Sequence, residues 1–118
     1  MNKSPEIVAK YYVFLKWAML HIEKFPKNQR YVFGKYFEDK LLNILENLLR
    51  AYYQKDKIAI LQQTNIDLDI VRYFLRLSLD LKLLTVKQYE FAINALLEIG
   101  RQLGGWIRSV DKLTTSPK

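Results

Sequence analysis

The sequence predicts an all-α protein, an up-down-up-down antiparallel four-helix bundle. Apolar residues recur every three to four positions along four long segments, which is the spacing of a helix with one buried face. The three prolines lie at the ends of those segments or outside them, and no long segment alternates as a half-buried strand does. We place the helices at about 5–24, 28–53, 57–83 and 86–109 of one domain, and expect the polar tail 110–118 to fray.

The first two helices carry boundary signals. Ser4 and Pro5 suit the N-cap and the first position of the first helix. Pro26 disfavours helix at the residue before it, which predicts a break there. Asn28 can then cap the second helix.

The last helix has a clearer start. Thr85 and Gln88 have the spacing of a capping box, in which each side chain satisfies a backbone N–H at the helix start. This pair predicts that the fourth helix begins directly after Thr85.

The first and third predicted helices are apolar on more than one side. Either these extra residues widen the core stripe of a single bundle, or they form a surface that a second copy covers in a homo-oligomer. The pattern alone favours neither.

The chain is strongly basic. Nineteen Lys and Arg residues against twelve Asp and Glu residues give a net charge of +7 on 118 residues. Such an excess is typical of a protein that binds RNA or DNA, because neutralising phosphates releases condensed counterions. The plain alternative is that the charge serves solubility.

The composition offers little for catalysis. There is no cysteine and a single histidine, His21, which we interpret as a helix-face residue. The usual zinc and di-iron ligand sets are therefore missing, as is any glycine-rich phosphate loop. We predict no enzyme, no metal and no cofactor, and, with no membrane span or targeting segment, a cytoplasmic protein.

One group of basic residues surrounds the first predicted loop, at Lys24, Lys27, Arg30 and Lys35. The aromatic residues Phe25, Tyr31, Phe33 and Tyr36 are interleaved with them. Cations beside aromatic faces suit single-stranded nucleic acid. For the rings themselves we favour burial in the core.

A second group lies on the last two helices. Arg72 and Arg76 are one turn apart on the third, and Arg101 and Arg108 form a similar row on the fourth. Arginine suits phosphate because its guanidinium is a rigid fork of donors. The alternative is local pairing, with Asp69 for Arg72 and with Asp80 for Arg76.

The last helix also contains Gly100, Gly104 and Gly105, followed by Trp106. A glycine inside a helix costs about 1 kcal/mol relative to alanine. We therefore expect a close helix–helix contact here, within the chain or between subunits.

Several stretches resemble one family. These are EKFPKNQRY at 23–31, LRL at 75–77, LKLLT at 81–85, QYE at 88–90 and EIGRQLGGW at 98–106. Together they resemble the accessory variability determinant (Avd-like) proteins of diversity-generating retroelements, over nearly the whole chain. A related branch of the same superfamily is encoded within intervening sequences of large ribosomal RNA genes.

The resemblance implies a four-helix bundle that assembles into a five-fold ring with a basic surface. It implies a non-catalytic protein that binds reverse transcriptase and nucleic acid and supports mutagenic copying of a template RNA. Arg72 and Arg76 fall where the family places basic residues on the third helix. The alternative is a bundle of the ribosomal intervening-sequence type, acting as a protein scaffold without a nucleic-acid role.

Overall fold

The computed structural model describes the backbone of residues 6–115 and the side chains of residues 6–111. The helices are α1 (Glu6–Ile22), α2 (Lys27–Gln29), a π-helical turn (Arg30–Gly34), α3 (Lys35–Tyr53), α4 (Ile58–Asp80) and α5 (Val86–Thr115). Because α2, the π-helical turn and α3 continue without a break, residues 6–115 form four helical rods and no strand. The all-α prediction is confirmed.

The core is a single apolar column along a molecule of 56 × 22 × 22 Å. Helix α1 packs against α3 and α5, α3 packs against α4, and α4 packs against α5. Each rod contributes residues three and four apart, as the apolar spacing requires. The largest fully buried side chains are Tyr11, Phe14, Phe37, Ile22, Leu41, Ile44, Leu48, Leu61, Leu75, Ile99, Leu103 and Val71.

Two polar contacts tie three rods together inside this column. The Tyr11 hydroxyl donates to the Leu41 carbonyl oxygen at 2.7 Å, and burial raises the pKa of Tyr11 far above its ordinary value. Asp67 is 1 % exposed, and its carboxylate accepts from Lys40 Nζ and Gln63 Nε2, both at 3.3 Å. Since a buried carboxylate without partners is costly, Lys40 and Asp67 fix how α3 sits on α4.

The π-helical turn is a feature that the apolar spacing did not predict. The rings of Phe33 and Phe37, at the turn and just beyond it, each lie 5.5 Å from the ring of Phe74. At Gly34 an added Cβ would lie 3.2 Å from Cγ2 of Ile22. Glycine therefore lets the turn approach the end of α1.

Helix α4 ends in a Schellman motif with lysine where glycine is usual. The Leu83 N–H donates to the Ser78 carbonyl at 2.8 Å, and the Lys82 N–H donates to that of Leu79 at 2.9 Å. Lys82 has a φ of 61°, the left-handed region, which costs a residue with a Cβ about 1 kcal/mol or more.

Several predicted boundaries differ from the observed ones. Helix α1 ends at Ile22 and α4 at Asp80, each a few residues earlier than predicted. Asn28 is not a cap, because Pro26 occupies the N-cap position without a side-chain bond. The predicted end at 109 is wrong, since α5 continues to Thr115. The predicted Ser4–Pro5 start and residues 116–118 of the predicted frayed tail lie outside the described residues.

On the third predicted helix the second apolar side partly joins the core, since Val71 and Ser78 are buried and Phe74 packs against the core. Other apolar residues of the first and third predicted helices stay on the surface. We define the α4 stripe as Ile66, Tyr73 and Leu77, which share one face and are 56 %, 69 % and 42 % exposed. On α1, Tyr12 and Val13 are 54 % and 64 % exposed. The wide-core interpretation is therefore wrong for these residues. None of the helices within residues 6–115 has the length and apolar character that a bilayer span requires.

The capping box at the start of α5 is confirmed. The Thr85 N–H donates to Gln88 Oε1 at 2.9 Å, and the Gln88 N–H donates to Thr85 Oγ1 at 3.1 Å.

Removing this cap should destabilise the fold measurably. We expect Thr85→Ala to lower the free energy of unfolding by about 1 kcal/mol in urea denaturation, because a backbone donor loses its acceptor. Thr85→Ser keeps the oxygen and should lose much less. Equal losses in the two variants would show that the hydroxyl is not the stabilising group.

Candidate nucleic-acid interface

The arginines of α4 are exposed and locally paired. Arg72 contacts the Asp69 carboxylate through Nη2, and Arg76 Nε donates to Asp80 Oδ1 at 3.2 Å. The hydrogen bond to Asp80 raises the pKa of Arg76 above its already high value. The predicted local pairs are therefore confirmed, and a nucleic-acid role for these arginines remains a prediction.

Arg101 on α5 has a similar partner, because its guanidinium donates to the two Glu98 oxygens at 3.0 and 2.6 Å. The structure brings Arg101 and Arg72 to one groove of about 290 Å³ between α4 and α5. Its lining residues are Asn65, Leu68, Asp69, Arg72, Leu96, Leu97, Gly100 and Arg101.

Local pairing leaves these arginines able to bind phosphate. Exposed ion pairs of this kind contribute roughly 0.2–1 kcal/mol, and salt screens them. A phosphate diester can therefore replace the carboxylate at small cost, and the guanidinium fork can bind it through two donors.

The basic group at the first loop lies on another part of the surface. Arg30 Nη1 donates to the Glu23 carbonyl oxygen at 3.2 Å, and the guanidinium carbon stands 5.4 Å from the Tyr31 ring centroid. Lys24 and Lys27 flank this site and are exposed. A groove of about 630 Å³ beside it is lined by Met19, Leu20, Glu23, Arg30, Tyr31, Lys35 and Glu38.

The four interleaved aromatic residues separate into two pairs. Phe25 is buried and Phe33 packs against the core, as the favoured interpretation predicted. Tyr31 and Tyr36 are 63 % and 70 % exposed. For these two tyrosines the prediction of burial is wrong. Arg30 stands over one face of the Tyr31 ring, and the exposed parts of both rings could stack on a base.

The three glycines of α5 are partly buried and make no close contact with another helix. Among the described residues, no atom of another helix lies within 4 Å of a Cβ placed on Gly100. At Gly104 and Gly105 such a Cβ would meet the Arg108 guanidinium, at 3.4 and 3.9 Å. The within-chain close contact is thus not what the structure shows, and a contact between subunits stays a prediction.

Trp106 is half-buried and packs within the chain. The Lys57 ammonium, which lies between α3 and α4, is 5.8 Å from the Trp106 ring centroid. Trp106 and Arg108 therefore lie at the end of the bundle where α5 finishes. Arg76 and the first loop lie at the opposite end, where α5 begins.

His21 is part of the packing of α1. Its ring stacks on Trp17 with centroids 3.8 Å apart, and Nδ1 lies 2.8 Å from the Trp17 carbonyl oxygen. Over the portion of the chain that the structure describes, no three His, Asp or Glu side chains are placed to hold a metal ion.

The described part of the chain is thus an all-helical protein with exposed cations and exposed apolar stripes. A family comparison refines that class: residues 7–110 match the model of the bAvd-like family, and the chain belongs to that family. It is an Avd-like accessory protein, as the sequence resemblance implied. A comparison with curated proteins finds no match.

Three features near these surfaces were missed by sequence reasoning. The buried Asp67 was not identified, because its helical spacing alone does not distinguish it from a solvated acid. Lys82 and Lys87 border the turn between α4 and α5 and belong to neither basic group that the sequence predicts. The two lysines on either side of Thr85 were visible in the sequence as a basic turn directly before a helix.

The Arg101–Glu98 pair makes a pH prediction. Hydrogen bonds from Arg101 and then Gln102 lower the pKa of Glu98 from an ordinary 4.5 to about 2. A carboxyl group with a lowered pKa stabilises the fold above its unfolded pKa. That contribution should be lost as the pH falls from about 4.5 towards 2.

An NMR titration of the Glu98 carboxyl group tests this directly. Arg101→Gln should raise the pKa of Glu98 towards its ordinary value. Arg108→Gln removes the same charge elsewhere on α5 and should leave the pKa of Glu98 unchanged. An equally low pKa in the Arg101 variant would contradict the assignment.

Proposed function

We propose that this protein is a non-catalytic accessory subunit of a diversity-generating retroelement. In this proposal it acts in the cytoplasm as a homo-oligomeric, five-fold ring that binds reverse transcriptase and the template RNA or its DNA copy. The family match over residues 7–110 is the observation that carries the proposal.

The order of helix contacts supports an up-down-up-down bundle as the building block. Phe37 of α3 meets Phe74 of α4, while Lys40, one turn later, meets the earlier residue Asp67. Between α1 and α5, Trp17 meets Phe91, whereas the earlier Lys10 shares a groove with the later Glu98. In both pairs of helices, residues later in one helix lie beside residues earlier in the other, as antiparallel packing requires.

Exposed apolar residues support the assembly. The α4 stripe and the α1–α5 groove that contains Val13 and Phe91 are open in the single chain. Gly100 also faces open space at a helix position where glycine is disfavoured. A neighbouring subunit that covers such surfaces would account for them, since burial of apolar area drives association.

The surplus of basic residues supports nucleic-acid binding. In a ring, the +7 charge of each chain would be repeated around the axis. A repeated field of this kind raises the local concentration of a polyanion and its association rate. Arg72, Arg76, Arg101, Arg108, Lys24, Lys27 and Arg30 are the proposed contacts.

A protein scaffold without a nucleic-acid role is the second candidate, of the ribosomal intervening-sequence type. The α4 stripe favours it, because exposed apolar helix faces suit protein partners as well as copies of the chain. The two candidates differ in gene neighbourhood: an adjacent reverse transcriptase gene and a repeat pair favour the retroelement accessory.

The α4 arginines provide the test of nucleic-acid binding. We expect Arg72→Ala with Arg76→Ala to weaken binding of a short RNA roughly tenfold and to reduce the salt slope, because phosphate contacts are lost. Fluorescence anisotropy across a salt series measures both quantities. Unchanged affinity and slope would remove these arginines from the interface.

The acidic partners supply the matched variant. Asp69→Asn with Asp80→Asn keeps both arginines and removes the carboxylates that compete with phosphate. Binding should therefore become tighter in this variant. Weaker binding would contradict a direct role for the arginines.

The glycine face tests the assembly. Gly100→Leu adds a side chain into open space, so the helix should become more stable by about 0.5–1 kcal/mol in the isolated chain. If a neighbouring subunit covers Gly100, light scattering should show a smaller particle with intact helix content. Asn94→Leu, at an exposed position of α5, is the control. If the Gly100 variant keeps the particle mass of the unmodified chain, then Gly100 does not lie in a subunit interface.

A further inference from the structure

We infer that one end of the bundle is itself a phosphate-binding surface for a nucleic-acid strand. It is formed by Lys24, Lys27 and Arg30 together with Lys82 and Lys87, and we call these five residues the basic end. The inference deepens the proposed function, on which it rests, by adding Lys82 and Lys87 and by placing a strand across two loops.

The two loops that carry these residues cover the same end of the core. Phe25, in the loop after α1, is 5 % exposed, and Leu84, in the turn after α4, is 6 % exposed. Both side chains border one small cavity with Ile22, Phe37 and Leu75. Lys24 is adjacent to Phe25, and Lys82 lies two positions before Leu84, so the two buried anchors bring their neighbouring cations to one end of the molecule.

The five cations of the basic end take part in no ion pair among the described residues. Residues 23–30 and 81–87 contain five basic side chains and one acidic side chain, Glu23. Arg72, Arg76 and Arg101, by contrast, each have a carboxylate partner. A phosphate that binds these five residues therefore does not have to displace a carboxylate from an ion pair.

The backbone of Lys82 provides an independent observation. Its φ of 61° is the conformation that glycine adopts without strain at the end of a helix. Lysine occupies this position although glycine would fit the backbone better. Backbone strain retained at a particular residue points to a use for its side chain. An ammonium at the turn between α4 and α5 is well suited to a phosphate contact.

The ligand that fits these features is a single nucleic-acid strand. Point charges spread over two loops follow a phosphate backbone without reading bases. The exposed Tyr31 ring, next to Arg30, offers a face on which a base can stack. RNA and DNA strands share this chemistry, so both are tested.

The experiment compares two double variants of the full chain. Lys24→Gln with Lys82→Gly removes two charges from the basic end, and the glycine relieves the strain, so this variant should fold at least as well. Arg50→Gln with Lys55→Gln removes two exposed charges near the opposite end, beside the loop between α3 and α4. The probes are poly-uridine RNA and poly-thymidine DNA of about 20 nucleotides, longer than one binding site.

We expect the basic-end variant to bind at least one probe roughly tenfold more weakly at 0.1 M salt. Its salt slope should fall by about one for each lost phosphate contact. The control variant should bind like the unmodified chain. Equal effects of the two variants, or no effect of the first, would overturn the inference.

Failure of the inference and failure of the proposed function give different results. If the unmodified chain binds the probes and only the arginine variants weaken binding, the basic end is not the contact and the proposed function stands. If the unmodified chain binds neither probe at low salt, both are overturned.

Discussion

The narrow width of the bundle limits how many apolar side chains the core can bury. A bundle 22 Å across buries one apolar stripe from each of four rods, and no more. Half of this chain is hydrophobic, so apolar residues remain after the core is filled. They stay exposed on α1, on the α4 stripe and on α5. The exposed apolar faces therefore follow from the fold, and the net charge of +7 adds to them on the same surface.

Inside that column, few polar contacts fix how the rods sit on one another. Hydrophobic stripes alone tolerate sliding by a turn, because leucines of similar size replace each other. The Tyr11 hydroxyl on the Leu41 carbonyl, and Lys40 on the buried Asp67 carboxylate, would both be lost in a shifted register. A register fixed in this way also determines where the surface cations lie. Arg72 and Arg101 share a groove because α4 and α5 are held in this alignment.

Much of this could be predicted from the sequence, for identifiable reasons. The four apolar segments, the capping box of Thr85 and Gln88 and the pairs of Arg72 and Arg76 all depend on residues within one helical turn. Local spacing is enough to determine such features. The π-helical turn, the lysine at the end of α4 and the exposed Tyr31 depend on contacts between distant segments. The turn follows from the approach of Ile22 to Gly34 and from the packing on Phe74, which no local pattern encodes.

We propose that the chain functions as a ring that carries nucleic acid. Light scattering of the purified protein, with and without a short RNA at low and high salt, distinguishes this ring from a monomer. We expect a particle of five times the mass of the chain. Its mass should increase with RNA at low salt and return to that value at high salt, because only the phosphate contacts are screened. A monomer at micromolar concentration whose mass does not change with RNA would contradict both the assembly and the binding.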